Sequence, residues 1–249
     1  MKEKKIVIFI PSVEGGGVEK NFFLISNYLS KFYNDISIIT ADKSIKKYLS
    51  KKIRLIAPLS NYWKKKSRYP KYFICSLYLF RFLVSNKNVL IFSFQANAYA
   101  IILAKLFRIK IITRSNSSSE GWSKNFIKKI LYKIILNLSD KVIVNSYQLK
   151  KELDKKFRIN SYAIYNPLNI QYIKRKSKEK TNLNFFRGNY LKIITIGRLV
   201  DQKDHLTILK SINLLDKKSI RLLIIGRGDN KEKLIQYIKE NKLGSKIKL

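Results

Sequence analysis

The sequence predicts an α/β protein of two Rossmann-like domains with parallel sheets, the second incomplete. Three observations carry this. Short β-branched apolar runs alternate with stretches of helical period along the chain. Most runs are continuous rather than alternating, as expected for strands buried on both faces of a helix-covered sheet. The alternation then breaks at a polar, basic stretch and starts again.

The elements follow in order. "KIVIFI", Lys5–Ile10, is the first strand. Its apolar run is too short for a signal peptide and leads into a charged glycine loop, not a small-residue cleavage site. Strands are expected at Ile36–Thr40, Ile53–Ala57, Val89–Phe94, Lys110–Thr113, Lys141–Asn145 and Ser161–Tyr165. Helical patterns fill the gaps at Val18–Phe32, Tyr69–Ser85, Ala96–Phe107, Ser123–Leu138 and Tyr147–Phe157. Asn166-Pro167 closes this series. The predicted domains are 1–170, a linker at 171–187, and 188–249. The second series has strands Leu191–Ile196 and Ile220–Ile225, helices His205–Leu215 and Lys231–Asn241, and a last run, "KIKL". So small a sheet is expected to leave an unpaired edge and apolar faces at Ile220–Ile225 and Ile247–Leu249.

Composition narrows the function. The 249 residues carry 52 Lys+Arg against 16 Asp+Glu, a formal net charge of +36. A bias toward Lys, Ile and Asn explains most of this, with attraction to an anionic membrane surface as its consequence. Nucleic acid is not expected as a partner, because the aromatic residues sit in apolar runs and no binding module is recognisable. One cysteine, Cys75, excludes an internal disulfide and points weakly to a reducing compartment. The most apolar stretch, Tyr72–Val84, is too short to span a bilayer and contains Arg81.

Four loops follow strands and could hold ligand. In "PSVEGGGVEKN", Pro11–Asn21, glycines precede a helix N-terminus, which suits a phosphate. A tight strand-to-helix turn explains the same residues equally well. In "IGRLVDQKDH", Ile196–His205, Gly197 permits a sharp exit from the strand. Arg198 then offers a two-pronged grip on phosphate oxygens and Lys203 a point charge, while Asp201 and Asp204 can cap the next helix. In "IIGRGDN", Ile224–Asn230, Gly226 and Gly228 would let a base or phosphate lie against the backbone. In "ITRSNSSSEGW", Ile112–Trp122, Arg114, Asn116 and Glu120 are acceptor-side candidates, with a solvated turn as the equal alternative.

Together these residues resemble glycosyltransferase family 4, of the GT-B fold. The matching stretches are "GGVE" (Gly16–Glu19), "NSYQLKKEL" (Asn145–Leu153), "AIYNPLN" (Ala163–Asn169), "IGRLVDQKDHLTILKSI" (Ile196–Ile212) and "LLIIGRGDNKEKL" (Leu222–Leu234). The fourth is the most specific. The resemblance implies transfer of a sugar, usually with retention, from a nucleotide-sugar, a UDP-sugar by expectation, to a glycan or lipid-linked acceptor in cell-surface polysaccharide synthesis. It implies no metal or other cofactor. Arg198, Lys203, Gly16 and Gly17 would bind the donor pyrophosphate, Gly197, Gly226 and Gly228 would lie near the nucleotide, and Glu19 would join the acceptor side. The implied location is cytoplasmic, peripheral at the inner face of the cell membrane.

Two departures qualify the resemblance. Many members carry a first-domain histidine near the acceptor, where this chain reads Arg114-Ser115-Asn116. The sole histidine, His205, reads as a helix-start residue. The resemblance places the family's glutamate pair, seven residues apart, well beyond Leu249. The chain is therefore expected to be a truncated enzyme, inactive alone. The alternative is a non-catalytic remnant or subunit completed by a partner C-terminal chain.

Overall fold

The computed structural model describes residues 5–116, 125–181, 183–215 and 219–249. The chain divides into two compact units at Tyr172/Ile173.

In the first unit, β1 (Lys5–Phe9), β2 (Ile36–Ile39), β3 (Arg54–Ile56), β4 (Val89–Ser93), β5 (Lys110–Ser115), β6 (Lys141–Val144) and β7 (Ser161–Ala163) form one sheet in the order β3-β2-β1-β4-β5-β6-β7. Every pairing is parallel; Val7, for example, faces Ser37 on one side and Ile91 on the other. The order reverses between β1 and β4, so the loops leaving these two strands border the crevice where such sheets take ligands.

Period-two alternation splits the core between the sheet faces. Ile6 and Ile8 pack with Phe22 of α1 (Gly17–Leu29). Val7 and Phe9 pack on the opposite side with Cys75, Leu79 and Leu83 of α3 (Arg68–Ser85), and with Ala100 and Ala104 of α4 (Asn97–Leu106). A four-residue α2 (Tyr62–Lys65) precedes α3. Pro70 sits in the first turn of α3, where its missing N–H costs no helical bond. Farther along the sheet, α5 (Phe126–Asn137) and α6 (Tyr147–Phe157) meet over Val144, with Leu136, Leu149, Leu153 and Phe157 buried. Ser146 caps α6 by accepting from Leu149 N–H at 3.1 Å.

The stretch expected to be linker is partly helical: α7 spans Ile170–Ser177. Asn169 caps it, its side-chain oxygen accepting from Tyr172 N–H at 3.0 Å. Lys174, Arg175 and Lys176 occupy its last turn, where cations meet the negative end of the helix dipole. A basic run that reads as solvated coil thus has both helix-end signals.

The second unit holds β8 (Leu191–Ile196), α8 (His205–Leu214), β9 (Ile220–Ile225), α9 (Lys231–Glu240) and β10 (Ile247–Lys248). Its parallel sheet runs β10-β9-β8. Leu199, Leu209, Leu222, Ile224, Leu234 and Ile247 form its core. The exposed apolar positions differ from expectation. β9 is central, so Ile220, Leu222 and Ile224 are buried, as is Ile247. Within the expected stretches Ile225 is exposed, and exposure falls also on edge strand β8, at Leu191, Ile194 and Ile196.

Candidate functional site: the strand-end loops

In the second unit the chain leaves β8 through Gly197, whose N–H donates to Ile225 O at 3.0 Å. Leu199 is fully buried. Its N–H donates to Arg227 O at 2.9 Å and its carbonyl accepts Asn230 N–H at 3.0 Å, which ties this loop to the one after β9. Arg198 lies between these anchors. Its carbonyl accepts Val200 N–H at 3.0 Å and His205 Nε2–H at 3.2 Å. With the main chain held on both sides, its side chain stands exposed.

The chain then makes a 3-10 turn at Asp201–Lys203 and enters α8. Lys203 folds back over Gly197: a Cβ placed on Gly197 would lie 3.7 Å from Lys203 Cγ and 3.7 Å from His205 Nε2. Arg198 and Lys203 thus flank one strand end. Neither has an ion-pair partner among the described residues. Two exposed, uncompensated cations on an anchored loop can attract an anion. Asp204 caps α8, accepting from Thr207 N–H at 3.3 Å, whereas Asp201 accepts from Asn230 Nδ2 at 2.8 Å and so fastens the two loops. His205 begins α8 as expected, yet it is buried and supports Arg198 from below.

Gly226 and Gly228 serve the protein's own packing. A Cβ on Gly226 would sit 1.9 Å from Gly197 O, and one on Gly228 would sit 2.4 Å from Leu199 O. Only glycine lets the two loops approach this closely.

In the first unit, β1 leads into Pro11–Gly16. Gly15 takes φ +85°, and α1 starts after Gly16 without a side-chain cap, leaving its first N–H groups open to a ligand. Glu19 closes this loop: its Oε1 accepts Glu14 N–H at 3.4 Å, and a Cβ on Gly16 would meet its Oε2 at 2.9 Å. It is buried there.

The structure adds residues that sequence reasoning missed. Ser12 N–H donates to Gln95 Oε1 at 3.1 Å, bridging the loops that leave β1 and β4. Ser12 Oγ donates to Glu14 Oε1 at 2.7 Å. Lys71 is buried, with Nζ 3.3 Å from Ser12 Oγ and 3.5 Å from Glu14 Oε1. The Ser12 hydrogen bond, aided by the charges of Lys71 and Arg68, holds the Glu14 carboxyl below its ordinary range, so it is ionised at neutral pH. One sequence signal could have found Lys71. It falls on the same helical row as Cys75, Leu79 and Leu83, a cation where the pattern asks for a core residue.

At the β5 tip, Arg114 is 2% exposed. It donates to Asn116 Oδ1 (3.3 Å), Ile164 O (3.0 Å) and Asn166 Oδ1 (3.0 Å). Its Nε donates to Asn116 at the same strand end, and its Nη2 joins β5 to the segment after β7, so the buried guanidinium acts as a strut. Glu120 lies outside the described residues.

The model of Glycosyltransferase Family 4 matches residues 15–172, and that of Glycosyl transferases group 1 matches residues 176–249. The chain belongs to glycosyltransferase family 4. It is 26% identical over 245 residues to the amylovoran biosynthesis glycosyltransferase AmsD of Erwinia amylovora, covering 95% of this chain and 66% of that protein. It is also 26% identical over 161 residues to the N-acetylgalactosamine-N,N'-diacetylbacillosaminyl-diphospho-undecaprenol 4-alpha-N-acetylgalactosaminyltransferase of Campylobacter jejuni, covering 61% of this chain and 42% of that one. Anabaena HepE, in a crystal structure with UDP and glucose, superposes with a TM-score of 0.73 at 13% identity, over 98% of this chain and 68% of its own. A glycosyltransferase of Rickettsia africae gives 0.71 at 19%, over 100% and 68%. The fold of this family-4 chain is thus GT-B-like, with parallel sheets in both units.

Proposed function

We propose that this glycosyltransferase moves a sugar from a UDP-sugar, with retention, to a glycan or lipid-linked acceptor of cell-surface polysaccharide, working at the inner face of the cell membrane. The observation that carries the reading is the pair Arg198 and Lys203, exposed and without ion-pair partners among the described residues, on the anchored loop after β8. In the proposed reaction the bond between the anomeric carbon and the diphosphate oxygen breaks, and negative charge grows on the leaving nucleoside diphosphate. Cations at that place stabilise the transition state more than the bound substrate. Arg198 supplies the two-pronged contact and Lys203 the point charge. The open N–H groups at the start of α1 are a second, independent donor set in the first unit. The relatives named above, one of amylovoran synthesis and one acting on a diphospho-undecaprenol glycan, support the acceptor class.

Calorimetric titration of UDP into the 249-residue chain tests the reading. Arg198→Ala and Lys203→Ala should each weaken binding by about 1–3 kcal/mol, the range for charge-assisted hydrogen bonds. Lys210→Ala, an exposed cation within α8, should leave it unchanged. Equal losses at all three positions would mean a general charge effect and would remove the assignment.

A further inference from the structure

His205 is the only histidine of the chain, and its sequence context gives it no more than the first position of a helix. The structure buries it, at 4% exposure, beneath the loop that carries Arg198. Asp204 sets up this placement. It takes the left-handed conformation, φ +44°, and so turns the chain between the 3-10 turn and α8. The imidazole then packs against Gly197: a Cβ there would lie 3.7 Å from His205 Nε2 and 3.8 Å from Cε1. Nε2 itself is 3.2 Å from the Arg198 carbonyl oxygen.

This contact is the ring's single hydrogen bond among the described residues. A neutral imidazole carries one N–H, and a carbonyl can only accept, so the hydrogen sits at Nε2. Nδ1 is buried and has no partner among the described residues. A buried polar atom left unpaired costs stability, and an apolar side chain of similar size would avoid that cost. Local rules are broken in this way chiefly at functional sites. What the Nε2 contact holds is the main chain of the residue assigned to the donor diphosphate.

The peptide unit joining Arg198 to Leu199 is held at both ends. Its N–H donates to Arg227 O at 2.9 Å, and its carbonyl accepts His205 Nε2–H. Val200 N–H also reaches that carbonyl, at 3.0 Å, but it belongs to the same loop and moves with it. His205 belongs to α8, whose Leu209 and Ile212 sit in the core of the unit. A planar peptide held at both ends cannot rotate, which fixes the direction in which the Arg198 side chain leaves the loop. A long side chain with a fixed root has fewer orientations to lose when it grips an anion.

We infer that His205 is a positioning residue for the diphosphate grip: its Nε2–H holds the Arg198–Leu199 peptide so that the guanidinium is presented to the diphosphate of the donor nucleotide. The inference rests on the role proposed for Arg198, and His205 acts through that residue.

Calorimetric titration of UDP through a double-mutant cycle tests it. His205→Leu should weaken binding about tenfold, the order for losing one hydrogen bond. His205→Gln, whose amide can place an N–H near the position of Nε2, should bind within about threefold of the unaltered chain. In an Arg198→Ala background His205→Leu should cost less than about twofold, because no guanidinium remains to be positioned. A histidine that merely supports the fold would cost the same factor in both backgrounds. Protection of the Leu222 and Ile224 amides from hydrogen exchange should be kept in each variant. Were it lost in His205→Leu, His205→Asn takes its place in the cycle, with the same expected loss, because its shorter amide does not reach the Arg198 carbonyl. Nitrogen-15 NMR of the unaltered chain gives a second measurement. With a single histidine the ring signals need no assignment, and the neutral ring should be the Nε2–H tautomer. The Nδ1–H tautomer, full UDP affinity in the variant that lacks the bond, or an equal loss in both backgrounds would each overturn the inference while leaving Arg198 in place. Equal UDP binding by the unaltered chain and Arg198→Ala would instead remove the nucleotide reading, and this inference with it.

Discussion

Gly226 has no room for a side chain. A Cβ there would lie 1.9 Å from the Gly197 carbonyl oxygen, inside the contact that seats the β8 loop against the β9 loop. Gly226→Ala should therefore destabilise the second unit by about 1–3 kcal/mol through overpacking. Hydrogen exchange should show this as weaker protection of Leu222 and Ile224, with the first unit unchanged. Gly17 is the opposite case, since a Cβ there meets nothing within 4 Å. Gly17→Ala should keep stability, so any loss of donor affinity in that variant would come from a ligand lying against the loop. Arg114 combines the two themes. Arg114→Met should cost about 1–3 kcal/mol, measured by denaturant unfolding, because Ile164 O and Asn166 Oδ1 lose their buried donor. The sequence marks Arg114 as a polar residue at a strand end. It does not show that the guanidinium turns inward, since that depends on the carbonyl of a residue fifty positions away.

At the scale of elements, three aspartates fasten neighbours together. Asp140 accepts Ile111 N–H at 2.8 Å and pairs with Lys105, tying β5 and α4 to the start of β6. Asp154 of α6 accepts Ser161 N–H at 2.9 Å at the head of β7 and pairs with Lys150. Asp42 accepts from the Ser44 N–H and hydroxyl at the turn after β2. Burial alone would raise all three, but these hydrogen bonds and the nearby lysines outweigh it and hold each carboxyl below its ordinary value. A folded value below the unfolded one means that the unfolded chain binds more protons between the two. The stabilisation is complete above the unfolded value, about 3.9, and disappears as pH falls through the folded ones. Denaturant midpoints should therefore stay level from neutral pH down to about 5 and fall steeply below about 4. Asp154→Asn should shrink that acid-labile part. A level midpoint through pH 3 would contradict the account. Helix α7 shows what sequence reading loses at this scale. Asn169 and the Lys174–Lys176 run are ordinary cap and dipole signals, but in so basic a chain they read as solvent-facing coil.

Over the whole molecule, the buried clusters divide cleanly. Among the described residues, three lie in the first unit and one in the second. Separate cores should unfold separately. Calorimetry should resolve two transitions, the smaller unit melting first because it buries less per residue. Trypsin should cut early at Lys178 or Lys180, exposed beyond the end of α7, and leave a resistant fragment containing β1 to β7. A single transition, or first cleavage inside the sheet, would count against independent units.

The sequence by itself determined the class of fold, the strand and helix series, the restart near residue 190, and the cations of the β8 loop. Those features rest on local signals: apolar period, glycine after a strand, and a motif whose members are close together in the chain. Tertiary structure alone decided which glycines are packing contacts, which strand of the second sheet is exposed, and where Arg114 points. It also decided that Lys71 meets Ser12 and Glu14, and that Tyr72 of α3 meets Tyr99 of α4. Each of these depends on contacts between distant positions, and no periodicity within a single segment encodes the partner that a side chain will meet.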